Sequence, residues 1–457
     1  KFIYMDNFYR MVKVVPSCIV LILVAALISV CVGNAGLESK KQMQVTDHNL
    51  YEMSDDQNFI ILLLDAVDAR NMTKLLEDYP EYQEVFEDFT YYPNTVGAYP
   101  FTMISIPYIF SGEWFENGQL FEAYETETYK NSKLLGTLEQ DGYKLGLYEP
   151  DLLCKDDSVY RFENVIAKKG GISSYWEFLK AELKLVGVKY APFDLKQYCI
   201  FDTNFFLGLQ EAPEGFEAYT HVNNYFYHNM LDTPISHTNQ KCFKFIHVEG
   251  GHTPFRYDEN VDFVENATYT DNLKASMTIT REYLERLKKE NVYDNSAIII
   301  MADHGYAETP VGNAALERQN PIFFAKGVNE KHELQVSNAP VSYVDLQDAY
   351  NRLLDGKSSQ EIFDAKEGEQ RERRYLYYEY LKEDHIEEYY QTGDAWDVTT
   401  LKPTGVVYDQ KNTVKEDSSG KASSGAGLSW LYAPLEWIMN WCYALCHNYG
   451  LAIILFT

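Results

Sequence analysis

Four short runs of consecutive apolar residues punctuate the chain: NFIILLLDAV (58–67), YKLGLYEP (143–150), CFKFIHVEG (242–250) and SAIIIMADHG (296–305). Strict alternation would mark strands with one wet face. Short runs that are apolar at nearly every position mark strands covered on both faces, as in a largely parallel sheet between helices. Longer segments between them repeat their apolar residues at helical spacing: DNLKASMTITREYLERLKKE (271–290) and SYVDLQDAYNRLLDG (342–356), the latter stopping at Gly356. The order predicts an α/β fold, a mostly parallel central sheet flanked by helices, with ligands beyond the carboxyl ends of the strands. Residues 357–410 are charged and Tyr-rich and read as a peripheral extension with short strands; no internal repeat is visible.

The two ends follow a different pattern. Residues 14–33, VVPSCIVLILVAALISVCVG, carry no charge and are long enough to cross a bilayer core. Arg10 and Lys13 precede them and polar, acidic sequence follows, so the first helix is expected to run outward from the cytoplasm. A cleaved signal peptide is the alternative; the length of the run and the aromatic sequence before it favour an uncleaved anchor. Residues 1–36 are thus expected to be a membrane anchor and 57–410 a catalytic domain outside the cytoplasm, at the cell membrane. Residues 411–429 include KEDSSGKASSGAGLS, a flexible linker by composition. Residues 430–457 are Trp-rich, then wholly apolar, as in an interfacial segment that turns into a second membrane helix. The chain opens on Lys1 and stops inside that apolar run, so it reads as part of something longer.

Composition narrows the function classes. The 457 residues carry 40 Lys and Arg against 68 Asp and Glu, a net charge of −28, which repels phosphate backbones and excludes a nucleic-acid binder. A mean hydropathy of −0.34 excludes a polytopic transporter along the whole length. Of the seven Cys, Cys18, Cys31, Cys442 and Cys446 fall in the apolar ends and none forms a CxxC pair, so cysteine supplies neither a zinc site nor a disulfide framework.

The chemistry gathers at strand ends. Asp65 closes LLLD, and Asp303 and His304 close IIIMADHG. A carboxylate after an apolar strand needs a partner, and a cation is the simplest; the adjacent imidazole supplies a second kind of ligand. The alternative for each acid is a turn or helix-cap role. The third element is PNTVGAYPFTMISIPYIFSG (93–112). Thr102 opens an apolar helical run, where free amides and the helix dipole suit an anion, and a metal-bound hydroxyl there would be a nucleophile. Thr95 and Ser105 are its rivals, and a plain cap is the alternative for Thr102.

Together, Asp65, TMISIPYIFSG, HVEGGHTPF and IIIMADHG resemble the alkaline phosphatase/sulfatase superfamily, and within it the membrane-anchored lipoteichoic acid synthases and phosphoethanolamine transferases. The resemblance covers about residues 57–360. It implies one divalent ion (Mn, Mg or Zn) held by Asp65, Thr102, Asp303 and His304, with Thr102 as nucleophile and His252 of GGHTP on the substrate. Thr102 is followed by Ser105-Ile106-Pro107, matching the transferase spacing, while Asp65 stands where those transferases more often have Glu. Arg318 of LERQNP is the nearest candidate for a phosphate oxygen. The C/S-x-P-x-R signature of formylglycine sulfatases is absent around Thr102. Val248 occupies the place of the Asp that two-metal phosphatases carry four residues before their His, and no His occurs between His304 and His332, which favours one metal. His247 reads as a packed core histidine. The implied activity moves a phosphoglycerol- or phosphoethanolamine-type group from a membrane phospholipid to an envelope glycan or glycolipid through a phospho-threonine. A phosphodiesterase or phosphatase on the same scaffold, or a non-catalytic accessory domain, are the alternatives. The tail PLEWIMNWCYALCHNYGLAIILFT resembles the start of a YidC/Oxa-type membrane insertase over about 25 residues.

Overall fold

In the computed structural model the described residues are 43–150, 152, 156–167, 174–196, 198–199, 217–307 and 317–410. Each of the four apolar runs forms a strand, and each strand stops short of its run. β1 is Asn58–Leu64, with every residue buried. β2 is the short Thr90–Tyr91, β3 is Lys144–Tyr148, β4 is Cys242–Val248 and β5 is Ser296–Met301. β6 (Phe323–Lys326) and β7 (Gln335–Val336) complete a seven-stranded sheet of order β7-β2-β6-β5-β1-β4-β3.

The four central strands β5, β1, β4 and β3 are parallel. β6 runs antiparallel to both β5 and β2. The sheet is therefore mixed, where the sequence pattern suggested a mostly parallel one. The antiparallel strand was hidden because FFAK is too short to show a period. Register sets the site: Met301 lies opposite Leu63, and Leu64 opposite Val248, so the chain leaves β5, β1 and β4 at one level of one edge.

Helices cover the sheet. α1 (Ala69–Asp78) is capped by Asp68. α2 spans Thr102–Ser111. α3 (Tyr175–Tyr190) and the short α4 (Phe193–Lys196) belong to the long excursion between β3 and β4. α5 (Tyr269–Lys289) starts at a capping box of Thr268 and Asp271 and buries a continuous stripe from Leu273 to Leu287. α6 (Leu346–Leu354) ends before Gly356. Both amphipathic segments of the sequence thus fold as helices, within a few residues of their expected limits.

The C-terminal extension is a three-stranded antiparallel sheet of β8 (Arg373–Tyr377), β9 (His385–Gln391) and β10 (Leu401–Asp409). Arg373 fastens it to the main body. Its buried guanidinium donates to the Asn94 carbonyl at 2.6 Å, the Asn94 side chain at 3.0 Å and the Val341 carbonyl at 3.3 Å, and also to Gly393 O. Arg373→Met strands those acceptors without water. A loss on the order of 3 kcal/mol is expected, read as a lower chemical-denaturation midpoint; an unchanged midpoint would show that the extension docks by other means.

No helix among the described residues is long and apolar enough to cross a membrane. The expected anchor at 14–33, the linker 411–429 and the insertase-like segment 430–457 lie outside the described residues.

Candidate metal centre

Asp65, Asp303 and His304 converge where β1 and β5 end. Their ligand atoms lie within 4.8 Å of one another, and all three side chains are buried. His304 Nε2 is 3.8 Å from Asp65 Oδ1 and 3.3 Å from Asp303 Oδ2.

Each carboxylate spends one oxygen on the protein and leaves the other bare. Asp303 Oδ1 accepts from the Ala66 amide at 3.2 Å, and Asp65 Oδ2 faces His247 Nε2 at 3.4 Å. Asp65 Oδ1 and Asp303 Oδ2 are buried without a hydrogen-bond partner. Two orphaned carboxylate oxygens beside an imidazole nitrogen are costly unless a cation joins them. His304 Nδ1 donates to the Gly305 carbonyl at 2.7 Å, which fixes the tautomer that leaves Nε2 bare. The set fits one divalent ion, with Mn, Mg and Zn all compatible with oxygen and imidazole donors.

The backbone is bent to make this arrangement. Ala66 adopts φ +55°, a left-handed conformation costly for a residue with a Cβ, and this turn aims its amide at Asp303. Gly250, at φ +58°, lets the β4 end close on β1: a Cβ there would lie 2.7 Å from the Asp65 amide nitrogen.

Electrostatics follow from burial and proximity. Burial alone would raise the Asp65 carboxyl, but the imidazoles of His252 and His247 outweigh it and hold Asp65 below the ordinary carboxylate range. Asp303 goes the other way, raised by burial and by the Asp65 charge. His304 is lowered, chiefly by burial, and so stays a neutral ligand.

Thr102 is the first residue of α2, and no side chain caps that helix end; the N-cap is Phe101. Its hydroxyl is among the groups that lower Asp303. Thr102, His252, His304 and Arg318 line one cavity of about 350 Å³, which also takes in Glu149 and Tyr378. The rivals are elsewhere engaged. Thr95 Oγ1 donates to the Tyr92 carbonyl at 2.7 Å, Ser105 Oγ donates to the Tyr99 carbonyl at 3.2 Å, and both residues are fully buried. His252 is exposed at the cavity rim, with Nδ1 2.6 Å from the Thr253 carbonyl oxygen. Arg318 donates to the Pro100 carbonyl at 3.2 Å and lies over the Phe101 ring, with Nε buried and unpartnered. Of the six residues singled out in the sequence, Asp65, Asp303 and His304 converge, and His304 also lines the cavity that Thr102, His252 and Arg318 share.

Three neighbours were missed. His247 is buried as expected, yet it is no plain core residue: Nδ1 lies 2.6 Å from Glu149 Oε2 while Nε2 faces Asp65. Burial lowers its affinity for a proton, but Glu149 and Asp65 overcome this and raise it well above the ordinary value. A cationic imidazole between two carboxylates orients Asp65. Glu149 follows β3 directly and is itself a strand-end acid, so the rule that found Asp65 applied to it too. Asp68 pairs with Arg70 at 2.7 Å and accepts from the Tyr306 amide, while Arg70 donates to the Tyr306 and Glu317 carbonyls, pinning the chain around the Asp-His pair.

The sulfatase family profile matches residues 57–355, about two thirds of the chain, and the protein belongs to that family. It is an enzyme of the sulfatase-like hydrolase or transferase type, on a metal-dependent scaffold. Solved structures of similar fold include an alkaline phosphatase superfamily protein from Vibrio parahaemolyticus (13% identity, 81% of this chain and 82% of that one, TM-score 0.41). Two others are the lipoteichoic acid synthase LtaP from Listeria monocytogenes (13%, 82% and 92%, 0.40) and a phosphonate monoester hydrolase from Silicibacter pomeroyi (14%, 87% and 97%, 0.40). No curated protein sequence matches the chain. The family match ends at residue 355 and lends nothing to the insertase-like reading of the tail.

Proposed function

We propose that the protein is a metal-dependent transferase that moves a phosphoglycerol- or phosphoethanolamine-type group from a membrane phospholipid to an envelope glycan or glycolipid. One observation carries the reading: the Thr102 hydroxyl opens α2 toward the cavity beside Asp303, while the neighbouring hydroxyls of Thr95 and Ser105 are turned into the backbone. A threonine cannot become the formylglycine on which sulfate-ester chemistry of the C/S-x-P-x-R type depends. Phosphoryl transfer to a hydroxyl is what this residue can do.

In the first half-reaction Thr102 Oγ1, its proton already released to solvent, attacks phosphorus as the alkoxide, the bond to the lipid oxygen breaks, and that oxygen leaves protonated. His252, at the rim, is placed to supply the proton. The amides of the uncapped α2 terminus and the Arg318 guanidinium face the phosphoryl oxygens. In the second half-reaction an acceptor hydroxyl attacks the phospho-threonine and gives its proton to His252, which regains the one it lost, and Thr102 Oγ1 leaves again as the alkoxide. A divalent ion at Asp65, Thr102, Asp303 and His304 would acidify the hydroxyl and offset charge on the phosphoryl group.

The test is product analysis with a fluorescent phospholipid, with and without a glycolipid acceptor. Diacylglycerol release together with a phosphorylated acceptor supports the transferase. Release to water alone, even with acceptor present, makes the protein a hydrolase on the same scaffold. No turnover of any phospholipid, phosphomonoester or phosphodiester in the metal-loaded enzyme would overturn the reading.

A further inference from the structure

α3 is a helix without a core. Of its described side chains from Trp176 to Val188, Ala181 alone is buried. Trp176, Leu179, Leu183 and Val186 follow helical spacing along one stripe and are all exposed, Leu183 by 60%. Phe193 on α4 is 88% exposed and Tyr198 just beyond it 73%. Nine of the 21 exposed large apolar side chains among the described residues fall within 176–198, so this is a concentrated patch and not background. The pair is nonetheless built: Ser174 caps α3, and Gly187 leaves room for the Cys199 sulfur to pack against the helix. A helix this apolar, with so little of it covered, is stable only where something apolar receives it.

Two observations point to the occupant. The first is the path of the chain. Met43–Val45 pairs antiparallel with Val165–Ala167, so Met43 sits opposite Ala167, eight residues before α3 begins. Nine residues, 34–42, separate Met43 from residues 14–33, the uncharged run read above as a membrane helix. Nine residues span at most about 30 Å. A tether that short enters the fold beside the strand leading into the exposed pair. The second is charge. Between 175 and 199 the chain has Lys180, Lys184, Lys189 and Lys196 against Glu177, Glu182 and Asp194, a net +1 in a protein of −28. This is a place where an acidic protein can meet an anionic surface, with Trp and Tyr suited to the headgroup level.

We infer that α3 and α4 lie in the interface of an anionic lipid bilayer as a second contact beside the N-terminal helix. The excursion carrying them leaves β3 at Glu149, and Leu152 on it lines the cavity of the metal centre. The inference rests on residues 14–33 being a membrane helix and not on the chemistry at Thr102.

The full chain is reconstituted in nanodiscs of phosphatidylcholine and phosphatidylglycerol, with a photoreactive benzoylphenylalanine replacing Leu183, Phe193 or, as control, the exposed Val407 of β10. After irradiation, peptide mass spectrometry is expected to find lipid adducts at 183 and 193 and loss of that signal at 407. Absence of lipid adducts at 183 and 193 overturns the proposal. So does cross-linking of either position to a second copy of the chain, which would make the patch a protein interface. Neither readout depends on turnover, so the test stands whether or not the phospholipid is the donor.

Discussion

Thr102→Ala is expected to abolish turnover, by at least about 10³-fold, the scale on which loss of a covalent nucleophile is felt. The expectation rests on geometry. Thr102 is the one hydroxyl of the 93–112 segment that both opens a helix toward the cavity and lies beside Asp303. A phosphoryl group arriving there meets free first-turn amides and the positive end of the dipole. Ser105 cannot take over, because its oxygen is fully buried and donates to Tyr99. Thr102→Ser keeps the oxygen and should retain part of the activity, the loss reflecting a freer rotamer. Metal content should largely survive in Thr102→Ala, since Asp65, Asp303 and His304 still converge. Intact and peptide mass after donor exposure should place the adduct on the Thr102 peptide. Full turnover in Thr102→Ala, or an adduct on Thr95 or Ser105, would falsify the assignment.

What could be read from sequence, and what could not, divides along range. The four apolar runs were legible because a fully buried strand needs apolar side chains on both faces. The residues by which each run overshot its strand, 65–67, 149–150, 249–250 and 302–305, are the loops that build the site. Asp65, Asp303 and His304 were visible because a charge after an apolar strand is out of place without a cation. Glu149 follows β3 as Asp65 follows β1, so the same rule applies to it. His247 was misjudged because its neighbours Asp65 and Glu149 follow β1 and β3, and no local spacing announces contacts across 182 and 98 residues. The same holds for Arg373, whose acceptors at Asn94 and Val341 are 279 and 32 residues away. The exposed pair α3–α4 was overlooked for a different reason: Leu and Val at helical spacing ordinarily mean a core-facing helix, and only the fold shows that no core is there.

Asp303→Asn is expected to separate stability from metal binding. Folded, the Asp303 carboxyl holds its proton more tightly than in the unfolded chain, because it is buried and faces Asp65. The sign follows: as pH rises through that raised value, the metal-free native state must ionise a group that the unfolded chain ionises more easily, and stability falls. The metal-free variant should therefore melt no lower than the metal-free parent at neutral pH, since its amide can still accept from Ala66 and can donate toward Asp65. Saturating metal should stabilise the parent, by about 2.7 kcal/mol at a hundredfold excess over Kd, and leave the variant nearly unmoved. Loss of a direct carboxylate ligand should exceed the 10- to 100-fold typical of removing a group behind one, so affinity should fall by more than about 100-fold. In the parent, affinity should weaken on acidification as Asp303 takes up its proton, while His304, held neutral by burial, contributes little to that slope until lower pH. Thermal melts of chelated and metal-loaded protein across pH, with metal content by mass spectrometry, measure all of this. A variant that binds metal with the parent's affinity would place the ion elsewhere. A chelated variant that melts well below the chelated parent would mean that Asp303 holds the strand ends together without any ion.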